Sequence, residues 1–223
     1  MLKLYADPAA TTCRPVLLFA AEARLDLEIV PVDLMAGENL AEAFARINPN
    51  RTVPVLEHDG FRLTECSAIL KYVADLISSP AYPYQAQARA RINQWMDWFV
   101  TLFLQDYNYG QVYARVLPGY ALAEPGESER RAWHLARARA RLAVLDAALA
   151  ETGAFVCGRQ ITLADYLGAC FVTLGELIDF DLTPHPHVCR WIAAMKSRPA
   201  WAPVHAAFNG WRNAIQAQRQ NAA

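Results

Sequence analysis

Two short stretches of this chain carry groups suited to hold a ligand. The first is Val53-Pro54-Val55-Leu56. A proline cannot donate to a ladder, so Pro54 belongs at an edge or at the first residue of a strand. A cis bond there would turn the Val53 N–H and C=O outward, free to pair with a peptide-like ligand in the manner of an added strand. The second is Glu65-Cys66-Ser67, which reads as a turn opening a helix. The free N–H groups of such a start suit an anionic group. Together they outline a site for a small peptide bearing a carboxylate.

These groups need a scaffold, and the first third of the chain supplies one. Strand patterns at Leu2 to Ala6 and Leu27 to Val32 alternate with helical patterns at Arg14 to Arg24 and Leu40 to Ile47. The second helix ends before Asn48-Pro49, because a residue preceding proline is pushed out of the α region. Val53 to Glu57 and Phe61 to Thr64 make a hairpin around His58-Asp59-Gly60, and Glu65 to Ile77 is helical. The order βαβαββα fits a small mixed sheet covered by helices. Ser78 to Tyr84, with two prolines, reads as the linker.

Everything after the linker is helical in pattern. Gln85 to about Val116 has apolar residues at helical spacing, and Ser128 to Glu151 forms a second long helix. Leu117-Pro118-Gly119 and Glu124-Pro125-Gly126 punctuate the connection between them. Thr162-Leu163-Ala164-Asp165 reads as a capping box whose helix runs to about Ile178. Pro186 to Ser197 and Pro199 to Phe208 finish the bundle. Arg137, Arg139 and Arg141 alternate within a helix and read as a solvated surface.

Bulk properties exclude several classes. The chain has 223 residues, 54% hydrophobic and 19% charged, with a net charge of −1. That is enough apolar material for a substantial core, and nothing calls for nucleic acid or an anionic membrane. No apolar run is long enough to span a bilayer, and the N-terminus lacks a signal-peptide design. Five scattered cysteines, Cys13, Cys66, Cys157, Cys170 and Cys189, indicate reduced thiols and a cytoplasmic setting. His185-Pro186-His187 with Cys189 reads as a loop entering a helix, and no metal is expected.

Taken in order, Leu4-Tyr5, Cys13-Arg14-Pro15-Val16, Asn48-Pro49-Asn50-Arg51-Thr52-Val53-Pro54-Val55-Leu56, Glu65-Cys66-Ser67-Ala68-Ile69 and Leu163-Ala164-Asp165 resemble the glutathione transferase family. The likeness covers nearly the whole chain. Gln87-Ala88-Arg89-Ala90-Arg91 is similar to the theta-type and related bacterial branches. The resemblance implies an α/β thioredoxin-like N-terminal domain over residues 1–79 and an all-α domain over 85–213. It implies a homodimer that adds glutathione to a small hydrophobic electrophile. Val53, before Pro54, would bond the cysteinyl backbone of glutathione. Glu65 and Cys66 would hold the γ-glutamyl end, and Arg51 the glycyl carboxylate. Tyr107 and Tyr113 would line the electrophile pocket, with Phe208 covering it.

The family activates the glutathione thiol from the loop after the first strand. A free thiol has a pKa near ~8.5, so little of it is thiolate at neutral pH. One hydrogen bond to the anion contributes roughly 1.5–3 kcal/mol, and a helix N-terminus about 0.3–1 kcal/mol more. Those two effects lower the thiol by about one or two units. In theta-like members the donor is a serine three residues before the Cys-Arg pair; here that position is Ala10, which has no donor. An ungapped match through Pro8 to the cysteine-using bacterial branch points to Thr11, with the N–H groups of Thr12 and Cys13 assisting. Cys13 acting as a nucleophile is the competing expectation. Two other functions stay open: a binding or interaction protein that has lost catalysis, supported by Ala10, and a glutathione-dependent thiol–disulfide reductase acting through Cys13.

Overall fold

In a computed structural model, which describes residues 1–121 and 126–221, the chain begins with a mixed four-stranded sheet and continues as helices. The strands are β1 (Leu2–Ala6), β2 (Leu27–Pro31), β3 (Val55–His58) and β4 (Phe61–Thr64), in the order β2-β1-β3-β4. β1 runs parallel to β2 with Leu4 opposite Ile29, and antiparallel to β3 with Leu4 opposite Leu56. The β3–β4 hairpin turns through Asp59 and Gly60, both at positive φ (49° and 88°), as a two-residue turn matched to strand twist requires.

Helix α1 (Arg14–Glu22) packs against α3 (Cys66–Leu76), and the short α2 (Glu42–Ala45) follows β2. Pro15 in the first turn of α1 suits a position that needs no N–H partner. Leu4, Val55 and Leu56 from the sheet, Leu18 and Phe19 from α1, and Ile69 and Leu70 from α3 close one part of the core.

The long pattern from Gln85 to about Val116 is not uniformly α-helical. It starts as α4 (Ala86–Trp98), widens into a π-helical stretch from Phe99 to Tyr113, and ends in α5 (Ala114–Val116). Aromatic rings crowd it: Trp98 against Phe99, and Phe103 stacked on Tyr107. After Gly126 (φ 91°) comes α6 (Glu127–Thr152); Glu124 and Pro125 of the expected punctuation lie outside the described residues. Arg137 and Arg141, four residues apart, share a face of α6, and each Nε donates to the buried Asp106 carboxylate at 2.8 and 3.0 Å. The surface reading of those two arginines is therefore corrected, since alternation by two hides a pair at helical spacing.

Helix α7 (Leu163–Val172) is buried along its whole length. Asp165 holds its start: its carboxylate accepts from the N–H groups of Val156 and Thr162, the Thr162 hydroxyl and Trp191 Nε1, at 2.8 to 3.0 Å. The expected continuation to Ile178 is a 3₁₀ segment (Thr173–Ile178). There Gly175 leaves room for the Tyr107 hydroxyl, which a Cβ would strike. Helices α8 (Pro186–Lys196), α9 (Trp201–Val204) and α10 (Ala206–Asn221) complete the chain. α10 outruns the expected end at Phe208, because Arg212, Gln216 and Arg219 tie its polar face to Glu176 and Asp179.

Candidate functional site

The loop between β1 and α1 is shaped by Asp7 and Ala10. Asp7 Oδ1 accepts from the Ala9 N–H at 2.8 Å, and the Ala10 carbonyl accepts from both Cys13 and Arg14 N–H at 3.1 Å. Among the described residues no acceptor meets the N–H groups of Thr11 and Thr12, so they remain available at the approach to α1. The two threonine hydroxyls bond to different parts of the chain. Thr12 Oγ1 donates to the Val53 carbonyl at 2.9 Å, tying this loop to the start of β3. Thr11 Oγ1 accepts from the Tyr113 hydroxyl at 2.7 Å, across 102 positions of sequence.

The Val53–Pro54 bond is cis. Beside it two non-glycine residues sit in the left-handed region, Arg51 (φ 55°) and Glu65 (φ 67°). Such conformations cost on the order of 1–3 kcal/mol and persist where surrounding structure enforces them, often at ligand clamps. Glu65 is exposed and N-caps α3 through its carbonyl, which accepts from Ile69 N–H. The early N–H groups of α3 therefore open next to the Glu65 carboxylate. Cys66 is buried beneath, its thiol pushed up to about 12 by burial and by the Glu65 charge.

Arg51 is already engaged. Its guanidinium donates to the Leu40 carbonyl at 2.6 Å and to Glu42 at 2.7 Å, and Asn39 Nδ2 donates to its carbonyl. A solvent-exposed pair of this kind contributes about 0–1 kcal/mol. Arg51→Ala is therefore expected to lower the unfolding free energy by less than about 1 kcal/mol, read from equilibrium urea unfolding. Asn39 was not singled out from sequence; no motif marks it.

Cys13 is 0% exposed, and burial pushes its thiol far above the ordinary range. Its side chain belongs to the core in this conformation. The more open thiols are those of Cys157, pushed up to about 11 by burial, and Cys189. Under native conditions a thiol reagent is expected to label Cys189 and Cys157 well before Cys13, which peptide mapping by mass spectrometry reads. Labelling of Cys13 first would contradict the burial seen here.

The opposite wall is built from tyrosines. Tyr109, Tyr113 and Tyr120 cluster with ring centroids 5.4 to 5.5 Å apart. Tyr109 is 41% and Tyr120 48% exposed, so the outer rim of the cluster is open. Burial raises the Tyr109 phenol, with Tyr120 and Glu65 adding to it. Tyr109 and Tyr120 were missed from sequence, although Tyr109 and Tyr113 are four apart. The stretch that presents Tyr109 and Tyr113 is π-helical, a geometry frequent at functional sites. Tyr107, by contrast, is fully buried between Phe103 and Phe180 and donates to the Val172 carbonyl at 3.2 Å. Phe208 is likewise buried, 3.9 Å beneath the Arg14 guanidinium.

The family model for the glutathione S-transferase N-terminal domain matches residues 1–75, and that for the C-terminal domain matches 112–199. Glutathione S-transferase theta-1 of Bos taurus is 34% identical over 218 residues, 97% of this chain and 82% of that protein. The chain belongs to the glutathione S-transferase family. Theta-1 of Homo sapiens is 35% identical over 166 residues, 74% of this chain and 69% of that protein. Among solved structures, a delta-class glutathione transferase of Nilaparvata lugens aligns with a TM-score of 0.81 at 28% identity, covering 97% of this chain and 99% of that one. The N-terminal family match contains Thr11, Thr12, Val53 and Glu65, and the C-terminal match contains Tyr113. No described helix is long and apolar enough to cross a membrane, and among the described residues no cluster of three or more His, Cys, Asp or Glu is arranged to hold a metal.

Proposed function

We propose that this protein is a glutathione transferase that joins glutathione to a hydrophobic electrophile in the cleft between the sheet domain and the tyrosine wall. One observation carries the reading: the Thr12 hydroxyl bond to the Val53 carbonyl. It holds the Val53 main chain beside the open N–H groups leading into α1. The carbonyl expected to be free already accepts from Thr12, and the Val53 N–H, which has no acceptor among the described residues, is left to pair with a peptide. A cysteinyl residue paired at Val53 then points its sulfur at that helix start. Glu65 and Cys66 hold the γ-glutamyl end, with its carboxylate on the first turn of α3 and its ammonium on Glu65. Arg51 and Asn39 lie toward the glycyl end.

Thr11 is the thiolate donor in this reading. Thr12 already donates to Val53. Thr11 and Cys13 are both buried, at 1% and 0% exposure, but the Thr11 hydroxyl is a stronger donor than a thiol and its hydrogen has no acceptor among the described residues. A hydroxyl bond to the anion and two N–H groups together supply about 2–4 kcal/mol, enough to make thiolate the major species near neutral pH. The thiol proton leaves to solvent. The sulfur lone pair forms the S–C bond, and the leaving group departs with the bonding pair. Tyr109, Tyr113 and Tyr120 hold the electrophile by apolar contact. Two copies pair as a homodimer, which sedimentation at micromolar concentration checks.

The competing reading is a binding protein without turnover, and Ala10 favours it, since this half-buried side chain offers no donor. Thermal melting with millimolar glutathione and turnover of an aromatic halide separate the two. Binding to the native state raises the melting temperature in both cases. Turnover is expected here; stabilisation without turnover would select the binding protein. Absence of both would remove glutathione from the account.

A further inference from the structure

Two hydroxyl groups meet at Thr11 and Tyr113, and their hydrogens are unequally employed. Tyr113 donates its hydrogen to Thr11 Oγ1 at 2.7 Å. Thr11 therefore uses a lone pair on Tyr113 and keeps its own O–H for another acceptor. Among the described residues none takes it. Thr11 is 1% exposed, so solvent is no ready substitute. A buried hydroxyl hydrogen left without an acceptor is costly, and that cost is relieved by an incoming anion.

We infer that Tyr113 is a positioning residue for thiolate formation: by filling the Thr11 lone pair it directs the Thr11 hydrogen at the glutathione sulfur. The inference rests on the reading of Thr11 as donor and adds to it a role for the second domain. Two hydroxyls in series also polarise each other, so the terminal donor is stronger than a lone threonine. The pair stands beside a buried cation. Arg14 is wholly buried, donates to the Cys170 carbonyl at 2.8 Å and to Thr173 at 3.3 Å, and has no described carboxylate within ion-pair distance. Its positive field, which reaches Tyr113, favours negative charge at this end of the cleft. A sulfur reaches the buried Thr11 only as neighbouring side chains yield; Tyr109 and Tyr120, whose rings lie against Tyr113, are 41% and 48% exposed.

The test is the pKa of the glutathione thiol when bound, read from thiolate ultraviolet absorbance against pH. Wild type, Tyr113→Phe, Thr11→Val and the double variant are compared, with Thr11→Ser as a fold-preserving control. Tyr113→Phe keeps the ring and is expected to lower the bound thiolate fraction near neutral pH by roughly three- to tenfold. In the Thr11→Val background the same change is expected to have almost no further effect, because the intermediary is gone. Thr11→Ser is expected to match wild type. A Tyr113→Phe protein with wild-type thiolate fraction would overturn the inference while leaving Thr11 as donor. Equal further losses from Tyr113→Phe with and without Thr11 would also overturn it, since Tyr113 would then act on its own. A Thr11→Val protein with wild-type thiolate fraction would remove the donor reading itself.

Discussion

Asp165→Ala is expected to lower the unfolding free energy by about 3–5 kcal/mol. The carboxylate accepts four hydrogen bonds inside a fully buried site, two from main chain and two from Thr162 and Trp191 side chains. Removing it leaves buried donors on three segments without an acceptor: the Val156 turn, the start of α7 and α8. Each orphaned donor costs about 1–3 kcal/mol, partly relieved by local movement. Burial raises the Asp165 carboxyl while these donors pull it down. Equilibrium urea unfolding with an unchanged slope reads the loss. A change below about 1 kcal/mol would show that the network does not hold α7.

Thr11→Val is expected to reduce kcat/KM for glutathione roughly 10- to 100-fold, the equivalent of about 1.5–3 kcal/mol for one hydrogen bond to an anion. The pH dependence gives the sign. A donor to the thiolate lowers the thiol pKa, so removing it raises that pKa and moves the rising limb of the rate profile to higher pH. The deficit is then larger at about pH 6.5 than at about pH 9, where even an unassisted thiol is mostly ionised. A pH-independent deficit would point instead to altered packing under Tyr113. Valine has nearly the shape of threonine, so the bulk filling this buried position is retained while the Tyr113 hydroxyl loses its acceptor.

The fold was legible from sequence because its signals are local. Asp59-Gly60 closes the hairpin, and Thr162 with Asp165 announces α7. Boundaries set by distant packing were not. α10 continues past Phe208 because Glu176 and Asp179 receive its Arg212 and Arg219, although Phe208, Trp211 and Ile215 already trace an apolar stripe. The π-helical widening after Trp98 has no simple residue signature. At the site, the cis proline loop and Glu65 stand out as a motif, whereas the function of Thr11 depends on a partner 102 positions away. Tyr107 and Tyr113 look equivalent in sequence. A π-helical stretch faces one into the core and the other toward Thr11. Arg14 reads as half of a Cys-Arg pair, and only the packing of Phe208 and the Cys170 carbonyl reveals it as a buried cation.

A crystal structure of the protein with glutathione measures the decisive distance. With the cysteinyl main chain paired to Val53, the sulfur is expected within about 3.5 Å of Thr11 Oγ1 and facing the Thr11 and Thr12 N–H groups. A tripeptide bound with its sulfur turned toward solvent, or seated away from Val53, would contradict the account.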